Sequence, residues 1–177
     1  MAGNKILGRD AMRHKPLFGI LTSVTILFAC AAYAQQQGAP PPPAPPFGPP
    51  ITLEQAKKVA AAAEAEAKKK NLNSTFAIME PNGSLVYFAK MDGTQYAAIN
   101  VAMDKALAAA LYRRPTANFD AGLRAGNTYL LTLRNMNAVP GGVPLVADGK
   151  LIGALGVSGG SGPEDVAVAE AGAAALK

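Results

Sequence analysis

The chain has 177 residues, is half hydrophobic, holds one cysteine and one histidine, and carries a formal net charge of +5. A single cysteine excludes an internal disulfide. Lys5, Arg9, Arg13 and Lys15 face only Asp10 in the first 34 residues, so residues 35–177 keep 13 basic and 11 acidic side chains, a balance that excludes a basic nucleic-acid face.

In chain order, the basic stretch is followed by an apolar run from Leu17 to Ala32 and by Ala32-Tyr33-Ala34. A charged segment, an apolar segment and a small-x-small site describe a signal peptide over residues 1–34, cleaved before Gln35. There are two competing readings. An uncleaved anchor needs roughly 20 apolar residues, and this run is shorter. Acylation of Cys30 as a lipid anchor has bulky Phe28 against it. The expected location is periplasmic or extracellular, with no membrane contact beyond this segment. His14 leaves with the signal peptide. The remaining chain has no histidine, cysteine or tryptophan, which excludes Ser-His-Asp and Cys-His catalysis, His- or Cys-ligated zinc and a proximal-histidine haem site. No catalytic residue is assigned.

Residues 35–50 are rich in proline and carry no charge. Such a segment favours extended polyproline geometry and reads as a linker. The domain proper then covers residues 51–177. Thr52-Leu53-Glu54-Gln55 is a capping box that opens a helix from Leu53 to about Lys70. The lysines at 68, 69 and 70 suit its C-terminal dipole. Thr75 to Glu80 and Ser84 to Lys90 read as strands joined by the turn residues Pro81-Asn82-Gly83. An alanine-rich helix fits Gln95 to Tyr112 and stops before Pro115. A shorter helix fits Asn118 to Ala125, residues 127–138 are ambiguous, and residues 139–144 read as a loop. Asp148-Gly149 joins apolar runs at Val143 to Val146 and Leu151 to Val157, a second hairpin signal. Ser161, Pro163 and Glu164 open a last helix running to about Leu176. Neither hairpin alone buries enough surface, so both belong to one mainly antiparallel sheet covered by helices.

Few side chains could carry chemistry. Lys105 reads first as a snorkelling surface lysine and second as an anion contact in a pocket. Arg113 and Arg114 end a helix, where they compensate its dipole or grip a carboxylate. The glycine-rich stretch Gly153 to Gly162 lacks a phosphate-loop ending and reads as a tight loop, with anion binding as the lesser alternative. Glu64 and Glu66 diverge on a helix and make a poor metal pair; the metal ligands, if any, stay unknown.

Four ordered stretches then resemble the GlcG/HbpS family. They are Leu53 to Ala67, Met91-Asp92-Gly93, Lys105-Ala106 through Arg113-Arg114-Pro115-Thr116, and Gly141-Gly142-Val143-Pro144-Leu145 through Ile152 to Gly159. The resemblance implies an α+β, profilin-like fold with a sheet of about five strands flanked by alanine-rich helices. It implies homo-oligomers and a haem, tetrapyrrole or small organic ligand. It also implies that the iron is held by a threonine, for which Thr116 and Thr94 are available. The ligand-binding candidates are therefore Lys105, Arg113, Arg114, Thr116, Gly141 and Gly142. An enzyme or accessory protein acting on a small organic acid of glycolate-type metabolism is the alternative. The family's surface E-x-x-E motif has no match, since Glu64-Ala65-Glu66 has the wrong spacing.

Overall fold

The computed structural model describes residues 43–176. The signal-peptide reading, Cys30 and the first half of the proline-rich linker lie outside the described residues. The compact unit begins at Pro43, upstream of the boundary read from composition.

Helix α1 (Leu53–Lys69) starts as its capping box requires: the Gln55 N–H donates to Thr52 Oγ1 at 3.2 Å and the Thr52 N–H donates to Gln55 Oε1 at 2.9 Å. Ala56, Val59, Ala60, Ala63 and Ala67 form its buried stripe, the spacing of one helix face. Asn71, in the left-handed region at φ 55°, turns the chain out of the helix. Strands β1 (Thr75–Met79) and β2 (Leu85–Lys90) form the first hairpin, and β3 (Gly142–Ala147) and β4 (Lys150–Ser158) the second. Between them lie α2 (Ala98–Tyr112), α3 (Ala117–Arg124) and a 3₁₀ turn at Thr128–Thr132, inside the stretch that was ambiguous by sequence. Helix α4 (Gly162–Ala174) closes the chain.

The two hairpins share one antiparallel sheet in the order β2-β1-β4-β3. The α+β class is as expected, with four strands among the described residues against an expected five. The position of a further strand is held by Pro46–Gly48. Beyond the end of β1, which stops opposite Ala154, Phe47 makes a parallel bridge with Leu151. β3 starts at Gly142, inside the stretch expected to be loop. Pro144 is tolerated there because β3 is an edge strand with no second ladder to satisfy.

β1 is buried on both faces and sorts its side chains by parity. Phe76 and Ile78 join the core with α1 and α4, while Ala77 and Met79 pack against Ala102 and Ala106 of α2. Helices therefore cover both faces, and α2 sits very close. A Cβ at Gly156 would collide with the backbone of Ala102 and lie 2.6 Å from the amide nitrogen of Ala106. Two glycines of the glycine-rich stretch, Gly153 and Gly156, thus belong to β4, where they permit close packing rather than form a loop.

Candidate functional site

The centre of α2 carries the first group. Lys105 has no exposed surface, which corrects the surface position expected for it. Its ammonium donates at 2.8 Å to the Val157 carbonyl and at 2.8 Å to Asp165 Oδ2 on α4. The other carboxylate oxygen of Asp165 accepts the Gly160 N–H at 2.9 Å. This side chain reaches from the helix on one face of the sheet to a helix on the other. It passes Gly141, where a Cβ would stand 2.9 Å from Nζ and 2.7 Å from Asp165 Cβ. Gly141 (φ 122°) is the opening that lets the lysine through. Burial pulls the Lys105 pKa below its usual value and pushes that of Asp165 above its own; the hydrogen bond and the charges between them oppose both shifts. A buried ion pair of this kind is costly to break by removing one partner, because the other charge stays behind.

Thr116 and Gly142 complete the group. Thr116 Oγ1 donates to the Val139 carbonyl at 2.8 Å and accepts the Gly142 N–H at 2.9 Å, while the Thr116 N–H donates to the Gly142 carbonyl at 3.0 Å. A Cβ at Gly142 would collide with the Lys105 carbonyl. Four of the six candidate residues, Lys105, Thr116, Gly141 and Gly142, therefore meet in one place. They meet as a closed, internally satisfied cluster, and in this conformation no ligand reaches Nζ.

The remaining two candidates form a corner at the end of α2. Arg113 is the C-cap, held in the left-handed region at φ 53°. Its Nη1 donates to the Pro45 carbonyl at 3.2 Å and its guanidinium lies 4.9 Å from the centre of the Phe47 ring. The exposed Arg114 donates from Nε to the Tyr112 carbonyl at 3.3 Å, the dipole contact expected of a helix end, and lies 5.8 Å from the Phe119 ring centre. Phe119 in turn meets Tyr112 edge to face at 5.2 Å. Among the described residues neither arginine has a carboxylate partner.

The anion-binding reading of the glycine-rich stretch meets a different outcome. At its helix start Glu164 accepts the Ser161 N–H at 2.8 Å and hydroxyl at 2.7 Å. The Gly160 N–H is taken by Asp165. The chain's own carboxylates occupy the place an anion would take. Glu64 and Glu66 likewise pair with Lys68, Lys69 and Lys70 on the surface of α1.

Asp165 is the residue that sequence reasoning missed. It follows Glu164 in the first turn of a helix, where an acid looks like a response to the dipole. Only a search for a partner to a lysine in the middle of an alanine-rich helix would have pointed to it.

A family model described as haem degrading protein HbpS-like matches residues 51–174. The chain belongs to this family. It is 36% identical over 108 residues to Protein GlcG of Escherichia coli strain K12, covering 61% of this chain and 81% of that protein. It is 34% identical over 124 residues to an uncharacterized 15.0 kDa protein from the dhaT-dhaS intergenic region of Citrobacter freundii, covering 68% of this chain and 87% of the other. A crystal structure of a Streptomyces reticuli HbpS double mutant superposes with a TM-score of 0.68 at 30% identity, covering 79% of this chain and 99% of that one. The range matched by the family model spans α1 to α4.

Proposed function

We propose that this HbpS-like chain is an exported, homo-oligomeric binding protein for haem or a related tetrapyrrole. The observation that carries the reading is the corner at the end of α2. Two guanidiniums stand there side by side in sequence, each over an aromatic ring, with no carboxylate partner among the described residues. A ligand with two carboxylates on an apolar plane fits this chemistry: propionates meet the arginine forks and the ring system meets the exposed Phe47. The family description supports haem as the ligand.

The donor set fits the propionate half of haem. For the iron, residues 43–176 offer no imidazole or thiolate. The two threonines are already engaged, Thr116 with Val139 and Gly142, and Thr94 Oγ1 at 2.8 Å from the Met91 carbonyl. Iron ligation by either requires those bonds to open. Lys105, an anion-contact candidate by sequence, is bonded instead to Asp165. An enzyme acting on an organic acid would call on Lys105 and on the amides of the glycine-rich stretch. Those groups are committed internally, and no observation favours that alternative.

Haemin titration of the purified protein tests the proposal. The expected result is a saturable Soret shift near stoichiometric concentration, with affinity lowered about tenfold or more in the Arg113→Ala/Arg114→Ala variant, the effect of losing charge-assisted hydrogen bonds. Absence of a saturable shift overturns it. The export reading rests on residues 1–34 and expects the secreted form to begin at Gln35 on N-terminal sequencing. Homo-oligomers are expected in sedimentation.

A further inference from the structure

We infer that the outer edge of β2 pairs with the same edge of a second copy, so that the sheet continues across a two-fold axis at Ala89. This rests on the homo-oligomeric part of the reading above and names its surface. The two edges of the sheet are treated differently by the chain. On β3, Gly142 turns its N–H and carbonyl away from β4, and Thr116 takes both. Its Oγ1 accepts the N–H at 2.9 Å and its own N–H donates to the carbonyl at 3.0 Å. The next outward position on β3 is Pro144, which has no N–H to offer. That edge is closed to a further strand. On β2, the Met91 N–H donates inward to the Ser74 carbonyl at 3.0 Å. Successive residues of an antiparallel ladder point to opposite sides. Ala89 therefore bonds to β1, while Phe88 and Lys90 direct their N–H and carbonyl groups outward. β1 is the one strand paired with β2 among the described residues, and no other described group bonds these outward atoms.

The stretch Leu85–Lys90 holds no proline or glycine, and its only charge stands at the end. Such an edge is a template for another strand. Symmetry selects the occupant. Addition of β2 to β3 of the next copy would repeat without closing, and Thr116 and Pro144 block it. Pairing of β2 with β2 closes after two copies. With the axis at Ala89, Phe88 of one copy lies opposite Lys90 of the other, and the two exchange N–H···O bonds in both directions. Both residues belong to the face that α2 covers, since they pair with Ala77 and Thr75 of β1. The small Ala89 meets its counterpart at a non-hydrogen-bonded position, where opposed residues approach most closely. No like charges face each other, and each Lys90 meets an aromatic side chain. Tyr96 adds apolar area beside the edge: it is 86% exposed, with Lys90 Nζ 5.7 Å from its ring centre.

Sedimentation of the full chain, with amide exchange resolved residue by residue in NMR, tests the pairing. The Phe88 and Lys90 amides are expected to slow about tenfold or more as concentration rises through the dimer dissociation constant, because each then enters a ladder. Lys90→Pro deletes an outward N–H and no bond within the chain. It is expected to raise the dissociation constant about tenfold or more beyond Lys90→Ala, which keeps the N–H, the scale of the main-chain bonds lost on both sides of the axis. Equal constants for these two variants overturn the pairing. Assemblies whose Phe88 and Lys90 amides exchange freely also overturn it, while leaving the homo-oligomeric reading intact on another surface. A monomer at every concentration ends both, and leaves the haemin titration to be judged separately. If Lys90→Pro does not fold, exchange at Phe88 and Lys90 in the unmodified chain decides.

Discussion

Helix α2 displays the same kind of group in two settings. Lys105, in its middle, is a cation with no access to solvent and a carboxylate 2.8 Å away. Arg113 and Arg114, at and just past its end, are cations stacked on rings with only carbonyls to bond. The difference is not in the helix, which carries Lys105 in its middle and leads directly into Arg113 and Arg114. It lies in what the rest of the chain delivers. Asp165 arrives from α4 to neutralise the first, while the described residues bring no acid to the other two. A cation satisfied from within serves the fold, and one left to carbonyls and aromatic faces remains available to an outside anion.

The comparison breaks most visibly at the buried end. Lys105→Ala or Asp165→Ala alone should lose about 3–5 kcal/mol in urea unfolding, because each strands one buried charge. The Lys105→Met/Asp165→Leu double variant should recover most of that loss, since replacing both partners by apolar groups removes the desolvation cost as well as the attraction. Equal loss in single and double variants would show that the charges matter less than the space they fill. Next in size is Gly156→Ala, which pushes a methyl into the backbone of α2 and should cost about 1–3 kcal/mol by overpacking, measured in the same titration. At the arginine corner the expectation reverses: Arg113→Ala/Arg114→Ala should change unfolding free energy by no more than about 0.5 kcal/mol while reducing haemin affinity. A large stability loss there would make the corner structural and erase the contrast.

The smallest effect concerns pH. The hydrogen bonds from Ser161 hold the Glu164 pKa below the usual carboxylate value. A depressed folded-state pKa gives stability that is present above the ordinary value and lost as pH falls through the depressed one. Amide exchange at Ser161 should accelerate on acidification through that window, and Glu164→Gln should flatten the response. The Gly160 amide, held by buried Asp165, should respond differently, because burial raises that carboxyl's pKa.

Much of the fold was legible because its signals are local. Thr52 with Gln55, Pro81-Asn82-Gly83, Asp148-Gly149 and Ser161 with Glu164 each mark a boundary through residues only a few positions apart. The requirement that two weak hairpins share a sheet followed from burial alone. The strand was read from Val143, and its start at Gly142 was missed because Pro140-Gly141-Gly142 is turn chemistry by composition; β4 recruits Gly142 into the edge strand. The candidate site was legible in membership but not in arrangement. Lys105, Thr116, Gly141 and Gly142 do assemble, yet as an interior clasp.

What the amino-acid order determined by itself is the set of elements, the absence of imidazole and thiol chemistry after residue 34, and the placing of three cations on α2 and its cap. What only tertiary structure decided is which of those cations is buried, and that Pro46–Gly48 continues the sheet beside Leu151. The physical reason is range. Caps and turns are settled by bonds between near neighbours, whereas the environment of a charge depends on groups brought from far along the chain, as Asp165 is to Lys105.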